Sequence, residues 1–152
     1  MPEEAKPIRI RWQSFADVAQ NRPYFLRLHQ YLNGICLPQT QIDICGITPP
    51  DRDFSRLTEF RCSIICVDNI IEAEQLGYDA CVIGHFQDSG LFEGRSAVKI
   101  PVIGAGEATM HFAAQIARRM ALVTIDPVFE VWHLEQADRY GLRDRVSHIV
   151  GL

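Results

Sequence analysis

Short apolar runs alternate along this chain with longer segments in which apolar residues recur every three or four positions. The runs have the length of β-strands and lie at 8–12, 41–47, 81–83, 102–103, 121–125 and 146–152. The segments with helical spacing lie at 17–32, 55–76, from 91 onward, 107–120 and 126–140. Strands that alternate with helices predict an α/β fold, a parallel sheet flanked by helices.

Proline and glycine mark several of the expected helix ends. Pro23 predicts the first turn of the first helix, and Asp126 followed by Pro127 predicts a capped start for the last. Gly77 is a suitable stop for the second helix. The expected core-facing stripe of that second helix contains Leu57, Phe60, Ile64, Val67 and Ile71, widened by Cys62, Ile65, Cys66 and Ala73.

Composition and charge narrow the class of protein. The 152 residues are 47% hydrophobic and 22% charged, which is an ordinary globular balance with enough apolar material for a core. The net charge of −4 argues against nucleic acid or an acidic membrane surface as a partner. No apolar run approaches the roughly 18 residues of a membrane span. Five cysteines, an odd number in apolar segments, fit a reducing compartment, so we expect a cytoplasmic protein.

The strongest candidate for chemistry is His85, which follows the third predicted strand. Ligands of open parallel sheets bind beyond the carboxyl ends of the strands. A histidine there can take up or release a proton near neutral pH, or it can simply form hydrogen bonds within its loop. Phe86 and Gln87 follow, where backbone N–H groups before a helix favour a carboxylate or imide oxygen. Asp88 or Ser89 can equally serve as the cap of that helix.

Two motifs are weak evidence for a cofactor or a metal. Residues 104–109 resemble a dinucleotide fingerprint, but Thr109 occupies the third glycine position, so we reject nucleotide binding. Cys62 and Cys66 lie one helical turn apart without a second pair of zinc-like spacing, which favours packing in the core. We therefore expect no cofactor and no metal.

Three segments, taken in order, carry a family resemblance. They are GYDACVIGHFQDSGL at 77–91, IPVIGAGEA at 100–108 and ALVTI at 121–125. With the first strand and its loop, the chain resembles the aspartate/glutamate/hydantoin racemase superfamily, especially its hydantoin and allantoin racemase branch. The resemblance implies two similar, flavodoxin-like α/β lobes that face each other across a cleft. Residues 1–118 would form the first lobe and 119–152 the beginning of a second, incomplete one.

The resemblance also implies a chemistry and a set of site residues. Members of the superfamily racemise their substrate with two cysteines, one from each lobe. His85 stands where the first cysteine is expected, and the second cysteine would lie beyond Leu152. The chain is therefore either part of a longer protein or a branch with altered chemistry.

The resemblance places Gln13, Ser14, Gly106 and Glu107 at the substrate, beside Phe86 and Gln87. Thr124 ends the fifth predicted strand and is a further candidate to face the cleft. Ser14 can equally form a local turn, and Glu107 can simply favour the start of its helix.

The expected function is cofactor-independent racemisation or isomerisation of an amino acid or hydantoin-like derivative, by proton abstraction α to a carbonyl. The substrate would be a small anionic or cyclic-amide compound. Alternatives are a non-catalytic protein that binds small anions, and a related decarboxylase or cis–trans isomerase. We also expect a homo-oligomer, because Val131, Trp132 and Ile149 are predicted to lie on exposed apolar surface.

Overall fold

The computed structural model describes residues 6–50 and 53–152, and it confirms the alternation of strands and helices. Its elements, in chain order, are β1 (Ile8–Gln13), α1 (Arg22–Ile35), β2 (Thr40–Cys45), α2 (Arg56–Gln75), β3 (Ala80–Ile83), α3 (Leu91–Ala97), β4 (Val102–Gly104), α4 (Ala105–Ile116), β5 (Met120–Thr124), α5 (Val128–Arg139) and β6 (Val146–Gly151). They form two compact units, which are described separately below.

The first unit contains the described residues up to His85 together with Ser89–Gly104. Its four strands are all parallel, in the order β2-β1-β3-β4. Gln13, the last residue of β1, pairs with Cys45 at the end of β2 and with Ile83 at the end of β3. Three carboxyl ends therefore meet at one edge of the sheet, which is where the sequence predicts the site.

The core-facing stripe predicted for α2 is confirmed only in part. Its main row is wrong, because Leu57, Phe60 and Ile64 are 59%, 64% and 50% exposed. The residues that α2 buries in the core are three of the predicted widening residues together with Ile70: Cys62, Cys66, Ile70 and Ala73. The expected core packing of Cys62 and Cys66 is thereby confirmed.

Two helix boundaries also differ from prediction. The first helix begins at Arg22 rather than at residue 17, with Pro23 in its first turn as expected. The Asp17 carboxylate accepts the N–H groups of Ala19 and Gln20, and this local turn competes with helix. The helix expected at 107–120 is α4, which begins at Ala105 and ends at Ile116.

The second unit contains Phe86–Asp88 and Ala105–Leu152. Strands β5 and β6 pair in parallel, and α4 and α5 contribute Met110 and Ala137 to its core. At the end of α4, the Arg145 guanidinium donates to the carbonyls of Ala114, Ala117 and Arg118. The division after residue 118 that the resemblance implies stays a prediction.

The apolar patch expected from Val131, Trp132 and Ile149 is only partly present. Val131 is 58% exposed, but Trp132 is buried against the ring of Phe129, with centroids 5.0 Å apart, and Ile149 is half-buried. The prediction for Trp132 is therefore wrong, because α5 turns this ring inward.

In the described part of the chain, every helix is too short or too polar to cross a membrane.

Candidate functional site

The end of β3 is tied to the end of β1 immediately before His85. The Gly84 N–H donates to the Gln13 carbonyl at 2.8 Å, which extends the ladder one residue beyond the strand. A β-carbon at Gly84 would overlap the indole ring of Trp12, so only glycine fits against that ring. His85 therefore leaves the sheet from a fixed point at its carboxyl edge.

The imidazole of His85 contacts Phe15 and Glu59 within the first unit. The Phe15 ring stacks on it, with centroids 4.2 Å apart and planes 14° from parallel. The Nδ1 atom lies 3.6 Å from Oε1 of Glu59. The side chain of His85 is 22% exposed and that of Glu59 is 13% exposed, so this histidine–carboxylate pair is largely removed from water. Such a pair is suited to holding or moving a proton.

Glu59 is a site residue that the sequence reasoning missed. It lies in the first turn of α2, which is capped by the Ser55 side chain accepting the N–H of Thr58 at 3.2 Å. A carboxylate is favoured at this end of a helix by the helix dipole. A signal was available, because Glu59 lies three residues before Cys62 and therefore shares its inward face. The predicted stripe placed the row of Leu57, Phe60 and Ile64 on the inward face, and Glu59 does not lie on that row.

Gln13 and Ser14, both predicted to contact substrate, are engaged within the first unit. The Gln13 side chain is 1% exposed, donates to the carbonyl of Ser14 and accepts from the amide of Asn69 at 2.8 Å. The Ser14 hydroxyl accepts the N–H of Ala16 at 3.3 Å. Gln13 thus fixes the loop that carries Ser14 and Phe15. The predicted substrate contacts of both residues stay predictions.

Asp88 organises the predicted site residues of the second unit. Its carboxylate accepts the backbone N–H groups of Gly106 at 2.9 Å and Glu107 at 2.6 Å, and so caps the start of α4. The Tyr140 hydroxyl also donates to it at 2.6 Å, and the Gln136 amide at 3.2 Å. Burial raises the pKa of the Asp88 carboxyl, although these four donors act in the opposite direction.

The prediction that Asp88 or Ser89 caps the helix that follows them is wrong, because no side chain caps the start of α3. The residue preceding α3 is Gly90, and Asp88 caps α4 instead. Asp88 adopts a φ of 54°, a conformation in which aspartate and asparagine are tolerated better than most residues. This backbone geometry directs the carboxylate toward α4. Gly106 has no room for a side chain, because a β-carbon there would overlap the Phe86 carbonyl and lie 2.8 Å from the Asp88 carboxylate.

A buried chain of hydrogen bonds connects Asp88 to Thr124, another predicted contact. Gln136 donates from its amide to Asp88, and its carbonyl oxygen lies 3.0 Å from Nδ1 of His133. The Nε2 of His133 lies 3.3 Å from the Thr124 hydroxyl. The carbonyl of Gln136 only accepts, so this arrangement assigns the proton of neutral His133 to Nδ1. Burial lowers the pKa of His133.

The predicted site residues thus fall into two groups, one in each unit. Gln13, Ser14 and His85 gather at the carboxyl edge of the four-stranded sheet. In the second unit, the N–H groups of Gly106 and Glu107 donate to Asp88. The Phe86 carbonyl accepts from the same Gln136 amide that donates to Asp88. Thr124 is connected to Gln136 through His133. Gln87 is half-buried beside Phe86. Sequence reasoning missed His133, Gln136 and Tyr140, for which spacing gave no signal.

Across residues 6–50 and 53–152, no three His, Cys, Asp or Glu side chains are grouped to hold a metal ion.

Comparison with known proteins gives consistent sequence matches. The family model for Asp/Glu/hydantoin racemases matches residues 24–151. The hydantoin racemase of Pseudomonas sp. (strain NS671) is 32% identical over 83 residues, which are 55% of this chain and 33% of that protein. The hydantoin racemase of Rhizobium meliloti is 41% identical over 58 residues, 38% of this chain and 24% of that protein.

Solved structures show the same fold. An allantoin racemase from Klebsiella pneumoniae superimposes with a TM-score of 0.84 at 23% identity, over 95% of this chain and 58% of its own. An allantoin racemase from Pseudomonas fluorescens superimposes with a TM-score of 0.79 at 17% identity, over 95% of this chain and 60% of its own. A maleate isomerase from Pseudomonas putida S16 superimposes with a TM-score of 0.57 at 15% identity, over 95% of this chain and 63% of its own.

The parallel sheet, with its polar residues beyond the strand ends, defines a protein of the racemase-type α/β fold. The chain belongs to the Asp/Glu/hydantoin racemase family. It spans about three-fifths of the length of the structural relatives, and its matches cover a third or less of the hydantoin racemases.

Proposed function

We propose that this chain contributes one face of the active site of a cofactor-independent racemase or isomerase. The proposed substrates are small amino-acid derivatives of the hydantoin class, which include cyclic amides such as allantoin. Family membership and the names of the relatives support this class. The observation that carries the proposal is the position of His85, which lies beyond a strand end and is held by Phe15 and Glu59.

The chemistry required at this position is modest. The proton on the carbon α to the carbonyl is acidic, because the negative charge left behind spreads onto the carbonyl oxygen. His85 takes that proton, the C–H bond breaks, and an N–H bond forms on the imidazole while the electron pair moves into the enolate. Return of a proton to the opposite face inverts the centre. The proposal assigns His85 to one face only.

Exchange of the α-proton with solvent tests this proposal directly. Proton NMR in deuterated water would follow hydantoins, allantoin and free amino acids with the wild-type protein, dialysed against a chelator and without added cofactor. We expect exchange above the protein-free rate, and its loss in His85→Ala. His29→Ala removes an exposed histidine of α1 and should leave the rate unchanged.

The outcomes separate the alternatives. Exchange that persists in His85→Ala would contradict the assigned role. A folded wild-type protein that binds a compound of this panel without exchanging its proton would favour the second candidate, a non-catalytic binder of small anions.

We also infer a cytoplasmic location and self-association for the protein. None of the five cysteines forms a disulfide, and Cys62, Cys66 and Cys81 are buried, as is common in a reducing compartment. Exposed apolar side chains such as Phe60 and Val131 favour association. Light scattering should give a mass above that of one chain, and a stable monomer at high concentration would contradict self-association.

A further inference from the structure

We propose that Glu59 is a positioning residue that fixes the orientation and the charge of His85. This inference rests on the proposed function only for its consequence in catalysis, since the pairing of the two side chains can be measured separately. The observation behind it is the 3.6 Å separation between Glu59 Oε1 and His85 Nδ1.

The two residues reach each other from independent parts of the first unit. Glu59 is held by the first turn of α2, where its backbone N–H donates to the Ser55 carbonyl at 2.9 Å and the Ser63 hydroxyl donates to its carbonyl at 2.8 Å. His85 is held by the end of β3 and by the stacked ring of Phe15. The ring plane is therefore fixed by Phe15, and its rotation within that plane by Glu59.

This orientation assigns different tasks to the two ring nitrogens. Nδ1 faces the carboxylate, and Nε2 is the atom that takes the α-proton of the substrate. When that transfer gives an imidazolium and an enolate, Glu59 stays ionised and stabilises the new positive charge. The low exposure of both side chains strengthens this interaction, because water screens it less than at the surface.

The ring of Phe15 and the thiol of Cys66 add no charge to the surroundings of the pair. Phe15, which covers the ring from the loop after β1, carries no charge. On α2, the closest following titratable groups of the buried face are the thiols of Cys62 and Cys66. Burial raises the pKa of the Cys66 thiol, which is therefore neutral at physiological pH.

The test compares Glu59→Gln, which removes the charge and keeps the size, with Asp68→Asn, an exposed carboxylate change on the same helix. NMR of ring-labelled histidines would follow His85, assigned by its loss in His85→Ala. We expect the titration midpoint of His85 to fall by about one pH unit in Glu59→Gln. The midpoint should not change in Asp68→Asn, and in Glu59→Asp it should stay close to the wild-type value.

The catalytic readout is the same proton exchange, measured as kcat and KM across pH. In Glu59→Gln we expect kcat to fall roughly tenfold or more with KM nearly unchanged, and its acidic limb to move to lower pH. An unchanged His85 midpoint in Glu59→Gln would overturn the inference, whatever the exchange rate. A shifted midpoint in a protein that exchanges no substrate proton would support the pairing and overturn the proposed function. Should Glu59→Gln fail to fold, the midpoint in Glu59→Ala decides, because that variant also removes the carboxylate.

Discussion

The ring of Phe15 lies parallel to the imidazole of His85, with their centroids 4.2 Å apart. Phe15 comes from the loop after β1 and His85 from the loop after β3, and these strands are neighbours in the sheet. The stack therefore depends on the register in which Gln13 pairs with Ile83. A shift of one residue between the two strands would separate the rings.

Phe15→Leu should loosen His85 without removing its proton-transfer group. Phe15 is 8% exposed, so loss of the ring should lower the free energy of unfolding by about 1 kcal/mol. The less restrained imidazole should slow α-proton exchange by roughly threefold to tenfold. Urea unfolding and NMR exchange measure the two effects.

Phe25→Leu is the matched control for this change. Phe25 is 6% exposed and lies on α1 of the same unit, where its ring meets Tyr24 rather than His85. It should lose similar stability and keep the wild-type exchange rate. Equal slowing in both variants would attribute the effect to general loosening of the fold.

Asp88→Asn should destabilise the protein strongly despite the small change in size. Asp88 accepts from Gly106, Glu107, Gln136 and Tyr140, and one of its two oxygens would become a donor that faces other donors. We expect a loss of about 2–3 kcal/mol in the free energy of unfolding, measured by urea denaturation.

Asp126→Asn provides the comparison for that loss. The sequence predicts Asp126 as the N-cap of α5, but Pro127 occupies that position and Asp126 lies one residue before it. The half-buried Asp126 carboxylate accepts the N–H of Val128 at 2.8 Å. Asparagine caps helices about as well as aspartate, so the cost should stay below about 0.5 kcal/mol. Equal losses in the two variants would show that the buried network around Asp88 contributes nothing beyond a simple cap.

His133 should make the stability of the protein fall on mild acidification. Burial lowers its pKa in the folded protein below the usual value of 6.5, so the unfolded chain binds a proton first as the pH falls. The contribution of neutral His133 is complete above pH 6.5 and is lost as the pH drops from 6.5 through the folded pKa. The slope cannot exceed about 1.4 kcal/mol per pH unit for one group.

Urea denaturation at a series of pH values would isolate this contribution. His133→Gln should flatten the curve below pH 6.5, at the cost of lower stability at pH 8, because the contact with Gln136 is lost. His148→Gln, an exposed change on β6, should keep the wild-type slope. A wild-type slope in His133→Gln would assign the acid sensitivity to another group.

Much of this architecture is predictable because its signals are local. Strand and helix periodicities, Pro23 in the first turn of α1 and Gly77 after the end of α2 depend on residues a few positions apart. The position of His85 follows from the same signals, since it only requires that a strand end before it. The family motifs add the expectation of chemistry at that point.

The contacts that complete the candidate site depend on longer separations. Glu59 meets His85 across 26 positions only because α2 buries its small face and exposes Leu57 and Phe60. Asp88 and Tyr140 are 52 positions apart, and no periodicity relates them. Helix rotation and the pairing of distant polar groups are decided by packing, which a pattern of apolar positions does not specify.

Two glycines of the chain should respond in opposite directions to alanine. At Gly106 a β-carbon would collide with the Phe86 carbonyl and approach the Asp88 carboxylate, so Gly106→Ala must displace the cap of α4. We expect a loss of about 2 kcal/mol or more in the free energy of unfolding. At Gly34, near the end of α1, a β-carbon meets nothing within 4 Å. Gly34→Ala should therefore gain about 0.5 kcal/mol, because alanine favours the helix and loses less backbone entropy on folding. Urea denaturation of the two variants side by side measures both effects, and tolerance of alanine at Gly106 would show that the Phe86–Asp88 segment yields easily.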